Sequence, residues 1–226
     1  MPVRIGLAGK HPGYGDFIGH GLDQEVTAPL TGWVDQTLST LRESLGEDAW
    51  PAFWDNAQGL RFWIGRAVLR RTVMGLFLPS RDKVGRRYPL ILAAEGTAIP
   101  SPLLDPDQTI YEQMSAHVAA MVPGNGAAAL IDGFAPDLPE ETPEDLAQGP
   151  IIWAHHPEGD LGALLRSAGP VDAERAMTAR SYWWAPATQG RAAAWLGQTG
   201  LPGPEALGWL LGGVPVEGTG NEGTGE

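Results

Sequence analysis

The sequence contains no cysteine. That excludes disulfides, thiolate catalysis, iron–sulfur clusters and cysteine zinc sites. Its apolar runs fall far short of the roughly 18 residues a membrane span needs. The opening Met1-Pro2-Val3-Arg4-Ile5 lacks the charged-then-apolar order of a secretory leader. Positive charge is scarce, with 15 Lys and Arg against 27 Asp and Glu, a net charge of −12. Nucleic acids and anionic membranes both require a basic surface, so general binding to either is not expected. These absences fit a reducing cytoplasm, which is the expected location. At 226 residues the chain is long enough to bury a core without a staple. What it has in quantity is tryptophan and glycine, nine and 31. Nine Trp require a large core or an adhesive surface.

The missing positive charge is missing from one place. Residues 88–165 hold no Lys or Arg and 12 acids. Residues 1–87 carry +2 and residues 166–226 carry −2. Eight basic residues crowd between Arg61 and Arg87, with only Asp82 among them. Such charge runs form solvated faces, attract each other across the fold, or steer a protein partner.

Periodicity outlines the elements. Val3–Ala8 reads as a first strand, followed by a glycine-rich loop from Gly9 to Phe17. Apolar residues at 26, 30, 33, 34, 38, 41 and 45 predict a helix, with Thr27 as cap, Pro29 in the first turn and Gly46 as stop. Gly32 within it marks a candidate close contact. A shorter helix runs from Asp48 and Pro51 through Trp54. Leu60–Ile64, Thr72–Leu78 and Tyr88–Ala94 read as three strands, paired antiparallel because their connections are short. Thr109 to Glu112 has the spacing of a capping box opening a further helix. Pro136–Pro150 reads as an exposed loop, and Ile151–Ala154, Ser181–Ala185 and Ala192–Leu196 as strands. Asp160 caps a short helix ended by Gly169-Pro170, and Pro204–Leu211 forms the last helix. The glycine- and glutamate-rich tail, residues 216–226, has little to bury and is expected to be disordered. The expectation is an α/β fold, a central mostly antiparallel or mixed sheet flanked by helices, as one domain over residues 1–215.

No catalytic constellation stands out. A phosphate-binding P-loop needs G-x-x-x-x-G-K-[ST], and Gly9-Lys10 lacks both the spacing and the hydroxyl. Gly13 and Gly15 do not complete G-x-G-x-x-G, since residue 18 is Ile. His155 and His156 are adjacent, so on a strand they point apart and cannot share a metal. His11, His20 and Asp16 could meet in one loop. No Ser occupies a G-x-S-x-G elbow. The reading is a non-enzyme with no cofactor and no metal.

Three stretches are unusual. Gly9-Lys10-His11-Pro12-Gly13-Tyr14-Gly15-Asp16-Phe17 is a tight turn in which Asp16 could bond loop amides. Pro79-Ser80-Arg81-Asp82-Lys83-Val84-Gly85-Arg86-Arg87-Tyr88-Pro89-Leu90 is a hairpin connector with Asp82 paired to a neighbouring Arg. Ser181-Tyr182-Trp183-Trp184 is a core strand whose adjacent Trp bury on opposite faces. Together they resemble the TagF (ImpM) family that accompanies bacterial type VI secretion. The family's first loop is G-K-x-P-x-x-G-D-F, its connector P-S-x-D-x-V-G-R-x-[FY]-P-L and its later strand S-Y-W-W. Its W-R-F strand is only partly met, since Leu60 precedes Arg61-Phe62. Gly200-Leu201-Pro202 matches a G-L-P that often follows.

The resemblance implies an α/β sandwich and a regulator. It implies a post-translational repressor of type VI secretion that binds the system's forkhead-associated scaffold protein. Some relatives carry a fused phosphatase domain, for which this chain is too short. The interface candidates are Lys10, Asp16, Arg81, Asp82, Lys83, Arg86 and Arg87. Two alternatives stand beside it. One is a nucleotide- or phosphate-binding enzyme with Lys10, Arg81 and Arg86 converging on a concave site. The other is a structural subunit of the secretion apparatus.

Overall fold

The computed structural model describes residues 2–142 and 154–216. The expected strand at Ile151–Ala154 falls almost wholly outside them, as does nearly all of the tail. One seven-stranded sheet organises the chain in the order β2-β1-β5-β4-β3-β6-β8. Its strands are β1 (Arg4–Gly9), β2 (Ile18–His20), β3 (Leu60–Ile64), β4 (Val73–Leu78), β5 (Leu90–Glu95), β6 (Arg180–Ala185) and β8 (Ala194–Thr199). All six neighbouring pairs are antiparallel. A two-residue β7 (Arg191–Ala192) pairs instead with β9 (Val214–Pro215).

Both faces of the sheet are covered, which makes the fold an α/β sandwich. One face meets α1 (Gln24–Leu45), α2 (Trp50–Asp55) and α6 (Pro204–Gly212). The other meets α4 (Thr109–Ala120) and a 3-10 turn (Ala127–Leu130). Strand residues alternate between faces, so Trp183 enters the first core and Trp184 the second, as the sequence predicted. Trp183 stacks on Phe62 at 4.9 Å and meets Trp33 at 5.1 Å. The indole of Trp33 donates to the Pro202 carbonyl at 2.7 Å, which ties α1 to the G-L-P turn.

Several local expectations are corrected. α1 starts earlier than the periodicity suggests, because Asp23 rather than Thr27 accepts the first free amide. Thr27 turns its hydroxyl back onto the Asp23 carbonyl at 2.9 Å, and Pro29 falls in the second turn. The capping box at Thr109 does not form. Asp107 accepts from both the amide and the hydroxyl of Thr109, leaving Glu112 without that role. Asp160 does cap its helix, but α5 (Leu161–Met177) continues through Gly169-Pro170. A short β2, a one-turn α3 (Arg66–Leu69) and the β7/β8 break were not foreseen.

Gly32 makes no close contact: a Cβ built there meets nothing within 4 Å. Its flexibility therefore weakens α1 without serving packing. Gly32→Ala is expected to stabilise the fold by about 1 kcal/mol. A melting temperature that stays level or falls in thermal denaturation would contradict this.

Candidate protein-interaction site

Register brings the two motif loops to one end of the sheet. Gly9 ends β1 opposite Leu90, and Leu78 ends β4 opposite the same Leu90. The glycine loop and the connector therefore leave the sheet side by side. Gly9 allows their backbones to touch. Its φ is +131°, and an added Cβ would lie 2.0 Å from the Pro89 carbonyl oxygen. Only glycine tolerates both conditions. Two backbone bonds then join the loops, from Lys10 N to Pro89 O at 3.1 Å and from Lys83 N to Tyr14 O at 2.8 Å. Tyr14 extends the link: its hydroxyl donates to Gly126 O at 3.0 Å and accepts from Gly124 N at 3.0 Å.

Asp82 is the centre of this junction. The connector folds into a tight turn with Gly85 in the left-handed region, φ +89°, and Asp82 facing inward. Its Oδ1 accepts the amides of Val84 at 3.1 Å and Arg86 at 2.9 Å. Its Oδ2 takes Arg86 Nε at 2.6 Å and lies 3.2 Å from Lys10 Nζ. Burial opposes its ionisation. The Arg86 amide, the Arg86 guanidinium and Lys10 outweigh that and hold the carboxyl well below the usual range.

The remaining expected residues sit around this centre. Arg86 also donates to the Gly15 carbonyl and reaches the exposed Asp16 at 3.2 Å. Asp16 thus meets a guanidinium, not the loop amides expected of it. Pro12 lies in a turn closed by Tyr14 N on His11 O at 3.0 Å. His11 bonds its own loop, accepting Gly13 N at 3.0 Å, and its pKa is lowered by burial. Phe17 packs edge-on against Tyr88 at 5.7 Å, and Lys10 Nζ stands 6.0 Å from the Tyr88 ring. Ser80 O accepts Trp54 Nε1 at 2.8 Å, which fastens the connector to α2. Arg87 makes a two-pronged bond to Asp55 of α2, at 2.9 and 2.6 Å. Ser181 does not join the site; its hydroxyl donates to Gly200 O at 2.6 Å, near the G-L-P turn.

The connector is less positive than its sequence implies. Lys10, Arg81, Lys83, Arg86 and Arg87 face Asp16, Asp55 and Asp82, so two positive charges remain in excess. All three carboxylates belong to the first segment, not to the acidic stretch 88–165. Arg81 and Lys83 are exposed and make no ion pair among the described residues, whereas Arg86 is exposed but paired; between them and Arg86 stands Val84, 71% exposed. Phe17 adds a second exposed apolar side chain, at 47%. Sequence reading missed Asp55 and Val84. An apolar residue at the apex of a charged turn was the available signal for Val84; Asp55 had none.

The family described as "TagF N-terminal domain, Type VI secretion system-associated" matches residues 6–131, which contain both loops. The chain belongs to the TagF family. The crystal structure of PA0076 from Pseudomonas aeruginosa PAO1 resembles it with a TM-score of 0.66 at 26% identity. That likeness covers 92% of this chain and 93% of the other, so it continues well past residue 131. Among curated protein sequences, none matches. No helix among the described residues of this TagF chain is long and apolar enough to cross a membrane.

The Asp82 junction makes stability acid-sensitive in a defined direction. A carboxyl depressed in the folded state contributes fully above its unfolded pKa, about 3.9, and loses that contribution as pH falls toward its folded value. Asp82→Asn is expected to lower the melting temperature by several degrees at pH 7. It should also flatten the decline of stability below pH 4 that the native chain shows. Parallel pH profiles for the two proteins would contradict this.

Proposed function

We propose that this chain regulates type VI secretion after translation, as a repressor that binds and sequesters the system's forkhead-associated scaffold protein. The observation that carries the reading is the turn Arg81–Val84, held rigid beneath by Asp82 and exposing two cations and an apolar tip. Rigid display lowers the entropy lost on binding. Exposed Arg and Lys around an apolar contact suit an acidic protein surface. Sequestration needs a standing complex rather than turnover, which fits a non-enzyme acting in the cytoplasm.

The geometry also weakens the phosphate-binding alternative. Lys10 and Arg86 converge, but on the Asp82 carboxylate, and Arg86 also pairs with Asp16, so carboxylates of the chain already engage both cations. A structural subunit has no specific observation in its favour.

The distinction between paired and unpaired cations selects the test. Reversing Arg86 or Arg87 would break ion pairs that hold the loops, so a loss of binding would be ambiguous. Arg81 and Lys83 make no ion pair of their own among the described residues, but Arg81 lies near enough to Asp55 to lower its pKa. The neutral changes Arg81→Gln with Lys83→Gln, not reversals, therefore spare those pairs. The double variant is expected to melt like the native chain and bind the scaffold protein at least about tenfold more weakly. Full retention of the scaffold by this folded variant would refute the assignment of the turn. Deletion of the whole protein should raise secretion; secretion no higher than in the parent strain would refute repression.

A further inference from the structure

A row of paired residues crosses three strands away from the motif loops. Arg61 of β3 stands opposite Trp184 of β6, and Trp184 stands opposite Trp195 of β8. Directly paired residues project to the same face, so these side chains lie in sequence across it. α4 covers the centre of that face through Tyr111 and Met114. Toward β8 the cover thins, leaving Trp195 46% and Leu103 57% exposed. A trough of about 350 Å³ opens there, walled by Pro102, Leu103, Pro106, Pro186, Trp184 and Trp195. That volume is in the range of small-molecule sites.

The floor of the trough carries one cation. Arg61 donates to Gln108 Oε1 at 2.9 Å and lies over the Tyr111 ring at 5.8 Å. The same Gln108 oxygen accepts Trp184 Nε1 at 2.8 Å, so this acceptor is fully used in fixing the two side chains. Among the described residues, no carboxylate forms an ion pair with Arg61. A guanidinium has five N–H donors and matches a carboxylate with two of them. A partly buried one in apolar surroundings therefore favours an anionic guest.

We propose that this trough binds a small monocarboxylate with an elongated apolar body, such as an aryl-alkanoate or a medium-chain acyl acid. The carboxylate meets Arg61 and the body lies across Trp184 and Trp195. Length supports this. Two strand spacings separate Arg61 from Trp195, roughly 9–10 Å, which such a molecule spans. A peptide strand added to the free edge of β8 would place its backbone one spacing further out, roughly 14 Å from Arg61. It could not pair with the guanidinium, so the face rather than the edge is the site.

The test uses the full chain, with 4-phenylbutyrate as probe and 4-phenylbutyramide as its uncharged counterpart. Binding is read from the indole N–H signals of Trp184 and Trp195 in ¹H–¹⁵N spectra. The acid should shift both signals saturably and bind about tenfold more tightly than the amide. Arg61→Gln should bring the acid to the level of the amide without changing the amide's affinity. Trp195→Ala should weaken both. Equal affinity for acid and amide overturns the proposal, as does an acid affinity unaffected by Arg61→Gln. The absence of a saturable shift with either probe also overturns it. The comparison of acid with amide on the native chain needs no variant to fold.

Discussion

A carboxylate removed from water must be neutralised by what surrounds it. Asp82 is such a group, with a fully buried side chain held by two amides, Arg86 and Lys10. Because Lys10 comes from one loop and Arg86 from the other, meeting this demand joins the two. Replacing Asp82 by a neutral residue would leave Lys10, only 16% exposed, beside the like charge of Arg86 with no carboxylate between them. The joining in turn sets where Arg86 can reach, and Arg86 holds Gly15 and Asp16 in place. The shape of the glycine loop, the direction of the turn and the exposure of Arg81, Lys83 and Val84 thus follow from one charge balance.

The sheet makes that balance possible. β1, β5 and β4 are neighbours, and their register aligns Gly9, Leu90 and Leu78 at one end. The opposing loops start close enough for Gly9 to pass beneath Pro89. At the β3-β6-β8 side, the same antiparallel register produces a different outcome. It places Arg61, Trp184 and Trp195 in one row, where a cation meets aromatic surface and, among the described residues, no ion-paired carboxylate. One half-buried cation, Lys10, is matched inside the protein and the other, Arg61, is left for a guest. The difference between them separates a structural centre from a binding trough.

Much of this architecture was legible in the residues. Alternation in Leu60–Ile64 and the doubled Trp183-Trp184 indicated strands buried on two faces, because a period of two leaves no other arrangement. The antiparallel pairing of β3, β4 and β5 followed from connector length. Helix starts were less legible. Thr27 and Thr109 have cap chemistry, but Asp23 and Asp107 stand nearby and accept the free amides instead. Pro170 does not end α5 as its local preference suggests; Gly169 beside it eases the backbone, and the helix runs to Met177. The site was half legible. The density of Arg and Lys marked the connector, yet charge counting could not show which cations were paired. Asp16 and Asp55 are distant in sequence from the arginines they meet. Only the register of the sheet and the position of α2 bring them together.

The central claim is that a turn fixed from below by Asp82 presents Arg81–Val84 to the scaffold protein. Amide hydrogen exchange with and without that scaffold protein measures it most directly. Free, the turn should already show protected amides at Val84 and Arg86, since both donate to Asp82. In the complex, protection should rise across residues 81–84 and at Phe17, while the trough around Trp195 stays unchanged. Unchanged exchange across the turn in a saturated complex would contradict the account, and so would rapid exchange at Val84 and Arg86 in the free protein.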